Sequence, residues 1–376
     1  MAKAKQSSWR HRIARVFARR SAVTPPGGSE CGKAKTGLRN ERGVALMLAL
    51  LFVVLLTALV VEYMYESNVD AAFVQGYASE VEAYVAARSA IANGIALLEA
   101  DLLQAYEAGG ELFDSLHDPW AYGVQFQPMN NAIMQCRIED EYGKINLNAL
   151  MSPDGEEHNE ILVHALEILF RMRGADDDVV DAILEWMDPR GATNGRGQGN
   201  SGDSYYQGLD IPYGSKQAPM DSVEELLLVR GVTPELFYGD PEEEQQPLPR
   251  LLTVNGHPQG QINVNTAAFE TLEALGEALD GRLALADVVM RERESAPFQD
   301  RDDLENRGVY SPPRSRRGRG GGGGDTRHYV TTQSSMFRLI GDGMMDNAAT
   351  RIEAHVWRDA DAGAGGLRIL DWRVTR

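Results

Sequence analysis

Cysteine is scarce in this 376-residue sequence, and its two cysteines lie on opposite sides of the most apolar segment. Because Cys31 precedes that segment and Cys136 follows it, we expect them not to pair and no disulfide framework to stabilise the fold. Recognisable catalytic motifs are also lacking. The seven histidines are scattered without an HExxH spacing, and there is no GxSxG sequence and no P-loop. The sequence therefore predicts a protein that is not an enzyme.

Basic residues are scarce after position 43. Residues 1–43 contain eleven lysines and arginines against two acidic residues, whereas the rest of the chain has 26 basic and 53 acidic residues. A region this acidic should repel nucleic acid and attract cations or basic partner surfaces. The length, with 43% hydrophobic and 24% charged residues, is that of a folded protein with two or three small domains.

Charge is absent from residues 44–61, VALMLALLFVVLLTALVV, in which Thr57 is the only polar residue. As a helix this segment would span roughly 27 Å, which is about enough to cross a bilayer. A buried core helix would show a polar face, and a secretory signal would end in a small-residue cleavage site after a shorter apolar run. Neither pattern is present. We therefore expect a retained transmembrane helix, with the basic residues 1–43 in the cytoplasm and the rest of the chain outside it.

Apolar residues at helical spacing continue past this segment to Leu102, and Gly109 and Gly110 end the pattern. Farther along, residues 188–210 are rich in glycine, and residues 311–325 form a basic low-complexity loop that we expect to be disordered. The remaining patterns predict strands at 122–128 and 132–150, helices at 161–173, 177–187, 222–229, 266–275 and 285–293, a hairpin-like pair of strands within 251–265, and three closing strands.

Five motifs occur in order along the chain: RGVALMLALLFVVLLTALV, EDEYGKINLNAL, ILEWMDPRGA with SYYQGLDIPY, MDSVEELLLVRGVTPELF, and GQINVNTA. One of them alone would be a weak signal. Together and in this order they resemble the general secretion pathway protein K family, the K-type minor pseudopilins of type II secretion systems, over nearly the whole chain after residue 43.

The resemblance implies an α+β fold in which a pilin-like long N-terminal helix packs on an antiparallel sheet. A large α-helical insertion, SAM-like or helix-hairpin-helix-like, would interrupt that sheet. The implied domains are a cytoplasmic prepilin leader at 1–43, a transmembrane part at 44–61, a pseudopilin α+β domain formed by 62–151 and 326–376, an inserted helical domain at 152–310, and the loop at 311–325.

The same resemblance implies a single-pass protein of the inner membrane, with a periplasmic head at the tip of the pseudopilus. There it would initiate pseudopilus assembly and help protein export across the outer membrane. Its partners would be the I- and J-type minor pseudopilins, the major pseudopilin, the prepilin peptidase and the inner-membrane assembly platform.

Two positions at the start of the apolar helix matter for that role. Glu41-Arg42-Gly43 before the apolar run resembles the end of a prepilin leader, which a peptidase cuts between Gly43 and Val44 and whose new N terminus is then methylated. Pilin-like helices generally carry a glutamate at the fifth mature position, where it neutralises the ammonium group of a neighbouring subunit. That position here is Leu48. Because an uncompensated charge in an apolar bundle costs several kcal/mol, a subunit without this carboxylate is expected at the tip. An ordinary lipid-facing leucine is the alternative.

The glycine-rich segment presents hard oxygen ligands at Asp188, Asn194, Asp203 and Asp210. Glycines between them let backbone carbonyls turn inward, and calcium tolerates irregular loops of this kind. No cysteine or histidine is near enough to favour zinc, and no EF-hand spacing is present. The resemblance supports a calcium-stabilised loop. A flexible acidic turn without an ion is the alternative.

Two other functions remain open. Residues 262–275 and 286–309 resemble a helix-hairpin-helix DNA-binding module, which holds phosphate with a glycine-rich hairpin. Here the corresponding turn at 276–281 carries Glu277 and Asp280, and only the arginines within 314–319 favour DNA. We therefore predict no nucleic-acid binding. A minor pilin of a type IV pilus is the nearest competitor among assembly proteins.

Overall fold

The computed structural model describes residues 41–108, 112–152, 156–176, 178–189, 202–239, 245–279, 285–309, 326–359 and 365–375. The helices in this part of the chain are α1 (Glu41–Ala108), α2 (Glu160–Met172), α3 (Asp178–Met187), α4 (Gly202–Gln207), α5 (Pro234–Tyr238), α6 (Phe269–Ala278), α7 (Leu285–Ser295) and α8 (Arg301–Asn306). The strands are β1 (Val124–Met129), β2 (Ala132–Asp140), β3 (Ile145–Asn146), β4 (Leu252–Thr253), β5 (Ile262–Asn263), β6 (Val330–Thr331), β7 (Met336–Met345), β8 (Ala348–Arg358) and β9 (Leu367–Thr375).

The chain divides into two compact units, Met1–Asp70 and Ala71–Arg376, and helix α1 contributes to both. In the first unit, the described residues 41–70 are helical, and the side chains of the apolar run 44–61 are exposed. The hydroxyl of Thr57 donates to the Val53 carbonyl at 2.7 Å, so the one polar side chain of the apolar run is satisfied within the helix. By length and composition, this helix could cross a membrane.

The second unit contains a five-stranded antiparallel sheet in the order β1-β2-β7-β8-β9. The end of α1 packs on one face of it, through alanines and larger apolar residues that include Ala87, Ile91 and Leu98. Gly343 of β7 allows this close approach, because a Cβ there would lie 2.0 Å from the Ala83 carbonyl oxygen. The predicted α+β fold, the long helix and the three closing strands are thus confirmed.

Between β2 and β7 the chain forms the helices α2 to α8 around a separate hydrophobic core. Amphipathic α2 and α3 direct their apolar faces into it, and α2 packs against α6. Two short parallel strand pairs, β3 with β4 and β5 with β6, lie beside these helices. The helical insertion therefore interrupts the sheet in sequence while leaving β2 and β7 paired over eight residues.

Three sequence predictions within this unit were wrong in detail. The segment 251–265 forms no hairpin, because β4 pairs with β3 and β5 pairs with β6. Such short buried strands carry too little pattern to specify their partners. The strand predicted at 132–150 ends at Asp140, whose side chain accepts a hydrogen bond from the Tyr142 N–H at 2.8 Å and starts a 3₁₀ turn. The helix predicted at 222–229 is a 3₁₀ helix, Val223–Leu228.

Candidate functional site

The start of helix α1 carries the residues predicted for peptidase cleavage and tip placement. Gly43, Val44 and Leu48 all lie in this helix, and the spacing of Val44 and Leu48 puts them on one helical face. Val44 is 55% exposed and Leu48 is 50% exposed, and a Cβ built on Gly43 would meet no atom within 4 Å. The cleavage and tip roles of these residues stay predictions.

The segment predicted to bind calcium begins and ends in an aromatic cluster. Trp186 of α3 makes edge contacts with Tyr206 of α4 and with Tyr213, at centroid distances of 5.4 and 6.2 Å. The Tyr206 hydroxyl accepts from the Arg230 N–H at 3.2 Å, and the Tyr213 hydroxyl donates to the Leu228 carbonyl at 2.9 Å. These contacts bring the two ends of the segment together, as a loop that closes on an ion would require.

The structure describes the side chains of two of the four predicted calcium ligands. Asp188 follows α3 and is buried, and its N–H donates to the Leu184 carbonyl at 3.0 Å. Asp210 follows α4 and is exposed. The side chain of Asp203, in α4, and the whole of Asn194 lie outside the described residues. Within the described residues, no group of three or more His, Cys, Asp or Glu side chains could hold a metal ion. Calcium binding stays a prediction.

Two INxN motifs, Ile145–Asn148 and Ile262–Asn265, anchor the inserted helices. In each, the first asparagine accepts a hydrogen bond from the N–H of the second at 3.0 Å, which turns the chain out of its short strand. In each, the second asparagine then makes paired hydrogen bonds to the main chain of a distant loop. Those loops are at Met220 for Asn148 and at Phe298 for Asn265.

A buried polar network joins α1, the sheet and the insertion. Arg358 at the end of β8 is fully buried and bonds to Asp101 of α1, at 2.9 Å, and to Asp114. The carboxylate of Asp114 accepts from the Ser334 N–H at 2.7 Å, and the hydroxyl of Ser334 donates to Asp140 at 2.7 Å. One guanidinium thus faces two carboxylates directly, and a third carboxylate belongs to the same network.

Asp140 links this network to the insertion through hydrogen bonds, and no cationic side chain among the described residues bonds to its carboxylate. Its Oδ2 atom accepts from the Asn263 amide at 3.0 Å, from the Thr266 hydroxyl at 2.6 Å and from Ser334. Burial raises the pKa of Asp140, although these hydrogen bonds oppose the shift. Burial also raises the pKa of Asp114 to about 7, against the attraction of Arg358.

Sequence reasoning missed this network, although one signal pointed to it. In β8, every second residue from Ile352 through Ala354 and Val356 is apolar, and Arg358 is the next residue on the same face of the strand. Because a buried arginine needs anionic partners, the alternation alone predicts that acidic residues lie nearby. Nothing in the sequence indicates that those partners are Asp101 and Asp114, which are far away along the chain.

Of the turn compared with a DNA-binding hairpin, Gly276 and Glu277 lie in α6, whereas Asp280 and Gly281 lie outside the described residues. The arginine-rich loop at 311–325 lies outside them as well. The expectation that the protein does not bind nucleic acid therefore stays a prediction.

Comparisons with known proteins agree with the resemblance read from the sequence. Residues 143–238 match the family model for type II secretion system (T2SS) protein K. A relative from Aeromonas hydrophila, type II secretion system protein K, is 29% identical over 134 residues. That alignment covers 33% of this chain and spans 40% of the relative's length.

The fold has a solved counterpart. A chain in the crystal structure of the GspK-GspI-GspJ complex from the type 2 secretion system of enterotoxigenic Escherichia coli matches with a TM-score of 0.60 at 20% identity. The match covers 82% of this chain and 99% of that one. The predicted resemblance to the protein K family is thus confirmed in sequence for the segment 143–238, and the solved chain shares the fold of most of this one.

Proposed function

We infer that this chain is a minor pseudopilin of the protein K family, a structural component of a type II secretion system. The observation that carries this proposal is the position of the protein K segment. It starts just after β2 and fills the first part of the helical insertion, while α1 packs on the sheet that the insertion interrupts. Neither a plain membrane anchor nor a regular filament subunit requires such an arrangement.

We propose that the apolar part of α1 anchors the protein in the inner membrane, with the acidic head in the periplasm. The absence of charged residues from 44–61 and the exposure of their side chains support a lipid or helix-bundle environment. The basic residues before position 43 favour a cytoplasmic N terminus. Cleavage between Gly43 and Val44 by a prepilin peptidase, with methylation of Val44, would release the mature helix.

We propose further that the protein occupies the tip of the pseudopilus, initiates its assembly together with I- and J-type minor pseudopilins, and in this way helps export. Two features support the tip position. Leu48 offers no carboxylate to the ammonium group of a subunit ahead of it. The insertion between β2 and β7 adds bulk to the head that regular stacking would have to accommodate.

The test is co-purification of the full chain, solubilised in detergent, with minor pseudopilins encoded beside it. We expect a stable complex with I- and J-type subunits that survives removal of the apolar helix before Ala71, the start of the second compact unit. Capture of type IV pilus subunits in place of these partners would favour the competing assignment. N-terminal sequencing of the membrane form should begin at Val44, and a bulky residue at Gly43 should leave the precursor uncut.

A further inference from the structure

The two edges of the five-stranded sheet differ in how they are protected. At one edge, β1 is six residues long and contains Pro128, which has no N–H to donate. These are devices that prevent an edge strand from pairing with another chain. At the other edge, β9 runs for nine residues without proline. Each edge strand shifts register once against its inner neighbour, in β9 at Leu370, so the edges differ in length and proline. Among the described strands, none pairs with the outer side of β9.

The face of β9 that continues the core is only partly covered. Ile369 is paired with Val356 of β8, and Val374 is paired with Ile352, and both β8 residues are buried. The side chains of Ile369 and Val374 nevertheless remain 49% and 43% exposed. A further strand beside β9 would shield them if it placed apolar residues on that face.

The opposite face of β9 carries positive charge in a head that is strongly acidic. Arg368 is paired with Trp357 and lies over its ring at 5.6 Å, and Arg373 is paired with Glu353. Within β9, Asp371 is the only acidic residue, and its carboxylate lies 3.0 Å from Arg373. A second copy of β9 would bring two arginines for each aspartate against this face, which makes it a poorer match than a wholly acidic strand. Acidic side chains on an added strand would instead face these arginines.

From these observations we propose that the free edge of β9 binds an extended segment of a partner protein that alternates apolar and acidic residues. The segment adds as a sixth strand, with main-chain hydrogen bonds to β9, apolar residues over Ile369 and Val374, and carboxylates beside Arg368 and Arg373. This is the β-augmentation mode of peptide recognition, in which the alternation of side chains gives specificity. The inference does not depend on which secretion component supplies the segment.

The experiment measures binding of short, capped, fluorescent peptides to the full chain in detergent at low ionic strength. One peptide alternates valine and glutamate, and a matched peptide has lysine in place of every glutamate. We expect the glutamate peptide to bind at least about tenfold more tightly, since cross-strand charge pairs of opposite sign stabilise and pairs of like sign destabilise. Equal affinity for the two peptides would overturn the proposal.

Protein variants locate the site. The double variant Arg368→Glu, Arg373→Glu should reverse the preference between the two peptides. Its matched control, Arg88→Glu with Arg291→Glu, makes the same change in net charge on exposed helical positions and should leave the preference unchanged. Circular dichroism confirms that each variant is folded. An unchanged preference in the β9 variant would place the peptide elsewhere and refute the assignment.

A third measurement tests main-chain pairing without altering the protein. N-methylation of alternate peptide residues removes the N–H groups from one edge of the added strand. Methylating one alternate set should abolish binding while methylating the other should not, and binding that survives both would exclude strand addition. Dimerisation of the full chain that the glutamate peptide reverses would identify a second copy as the occupant and would also overturn the proposal.

Discussion

Arg358 is a single buried residue that connects three parts of the second unit. Its guanidinium bonds to helix α1, to the segment after that helix and to the segment before β7. It contacts Asp101 of α1 and Asp114 after that helix, and it donates to the Ser334 carbonyl at 3.0 Å. Its ring partner is Phe337, with the guanidinium carbon 4.7 Å from the ring centroid. A group with this many contacts and no exposure cannot be removed without leaving buried carboxylates unpaired.

We predict that Arg358→Met lowers the free energy of unfolding of the head by about 3–5 kcal/mol, because it strands Asp114 and Asp101 in an apolar environment. The matched control is Arg351→Met in the same strand. Arg351 is half-exposed and bonded to Asp342 at 2.7 Å, so its loss should cost no more than about 1 kcal/mol. Urea denaturation of the soluble head from Ala71 onward measures both, and equal costs would contradict a structural role for the buried network.

The same network predicts how stability depends on pH. Burial raises the pKa of Asp114 from 3.8 to about 7, so the folded state binds more protons than the unfolded state between these values. The contribution of Asp114 to the free energy of unfolding should therefore be greatest at the acidic end of this window and fall as pH rises through about 7. For one proton the slope cannot exceed about 1.4 kcal/mol per pH unit.

Denaturation of the head at several pH values between 5 and 8 checks this trend. The variant Asp114→Asn should be less stable at the acidic end of this range, because its amide nitrogen cannot accept the hydrogen bond that a carboxyl oxygen accepts from Arg358 or from the Ser334 N–H. Its stability should also lack the decrease with pH that Asp114 contributes, since the titrating group is gone. The stability advantage of the unmodified head over Asp114→Asn should shrink as pH rises from 5 to 8, and an advantage that grows would contradict the raised pKa of Asp114.

At the scale of elements, the contact between α1 and β7 depends on small residues. A Cβ on Gly343 would meet backbone atoms of Ala83 and Ala87 at 2.0 and 2.5 Å, and backbone cannot move aside as a flexible side chain can. Gly76, on the same helix α1, has no atom within 4 Å of a built Cβ. The two glycines therefore separate the effect of close packing from that of helix propensity.

We predict that Gly343→Ala destabilises the head by about 1–3 kcal/mol, the usual cost of overpacking, and loosens α1 from the sheet. Gly76→Ala should instead be neutral or stabilise by up to about 1 kcal/mol, because alanine favours a helix. Thermal unfolding compares the two. If both variants behave alike, then α1 does not approach β7 as closely as the structure places it.

The loop between α3 and α4 gives a second prediction at this scale. If Asp188 and Asp203 bind calcium, then millimolar calcium should raise the melting temperature of the head and a chelator should reverse the rise. A ligand that binds only the folded state at one hundred times its dissociation constant stabilises by about 2.7 kcal/mol. Asp188→Asn should remove the shift, and magnesium serves as the control ion. Identical melting curves with calcium and with chelator would mean that this loop is an acidic turn that binds no calcium.

Sequence patterns predicted the elements far better than their pairings. The period of apolar residues located α1, α2, α3 and the strands β7 to β9, because each of these elements is long and one-sided. The pairing partners of the short strands β4 and β5 could not be predicted from apolar periodicity. Each strand has only two residues, both buried, and so shows no pattern that would select a partner strand. The calcium ligands were proposed from composition, and Arg358 was missed because its acidic partners are distant along the chain.

At the scale of the whole molecule, two features bear on where one subunit can sit in a filament. One is electrostatic, the missing carboxylate at Leu48, and the other is steric, the insertion between β2 and β7. Filament-forming helices bury their apolar faces together while each N-terminal ammonium finds a carboxylate. A subunit without this carboxylate should therefore occupy the tip of the filament, and the other subunits should be added behind it.

The variant Leu48→Glu separates the two features. We expect it to insert in the membrane and keep its head contacts, while the electrostatic bar to a subunit ahead of it is removed. Little or no incorporation along the shaft should follow, because the insertion still prevents stacking. Deleting residues 152–310 as well should allow some incorporation. Leu51→Glu is the matched control, since it adds the same charge about one helical turn farther from the amino terminus.

Quantitative cross-linking along sheared pseudopili counts the copies of each variant per filament. The unmodified protein should appear near one copy per filament and at one end. The Leu51→Glu variant should not gain shaft positions even without the insertion, because its carboxylate lies away from the ammonium group it would have to neutralise. If the unmodified protein is instead distributed evenly along the shaft, then neither the absent carboxylate nor the insertion restricts it, and the tip position is refuted.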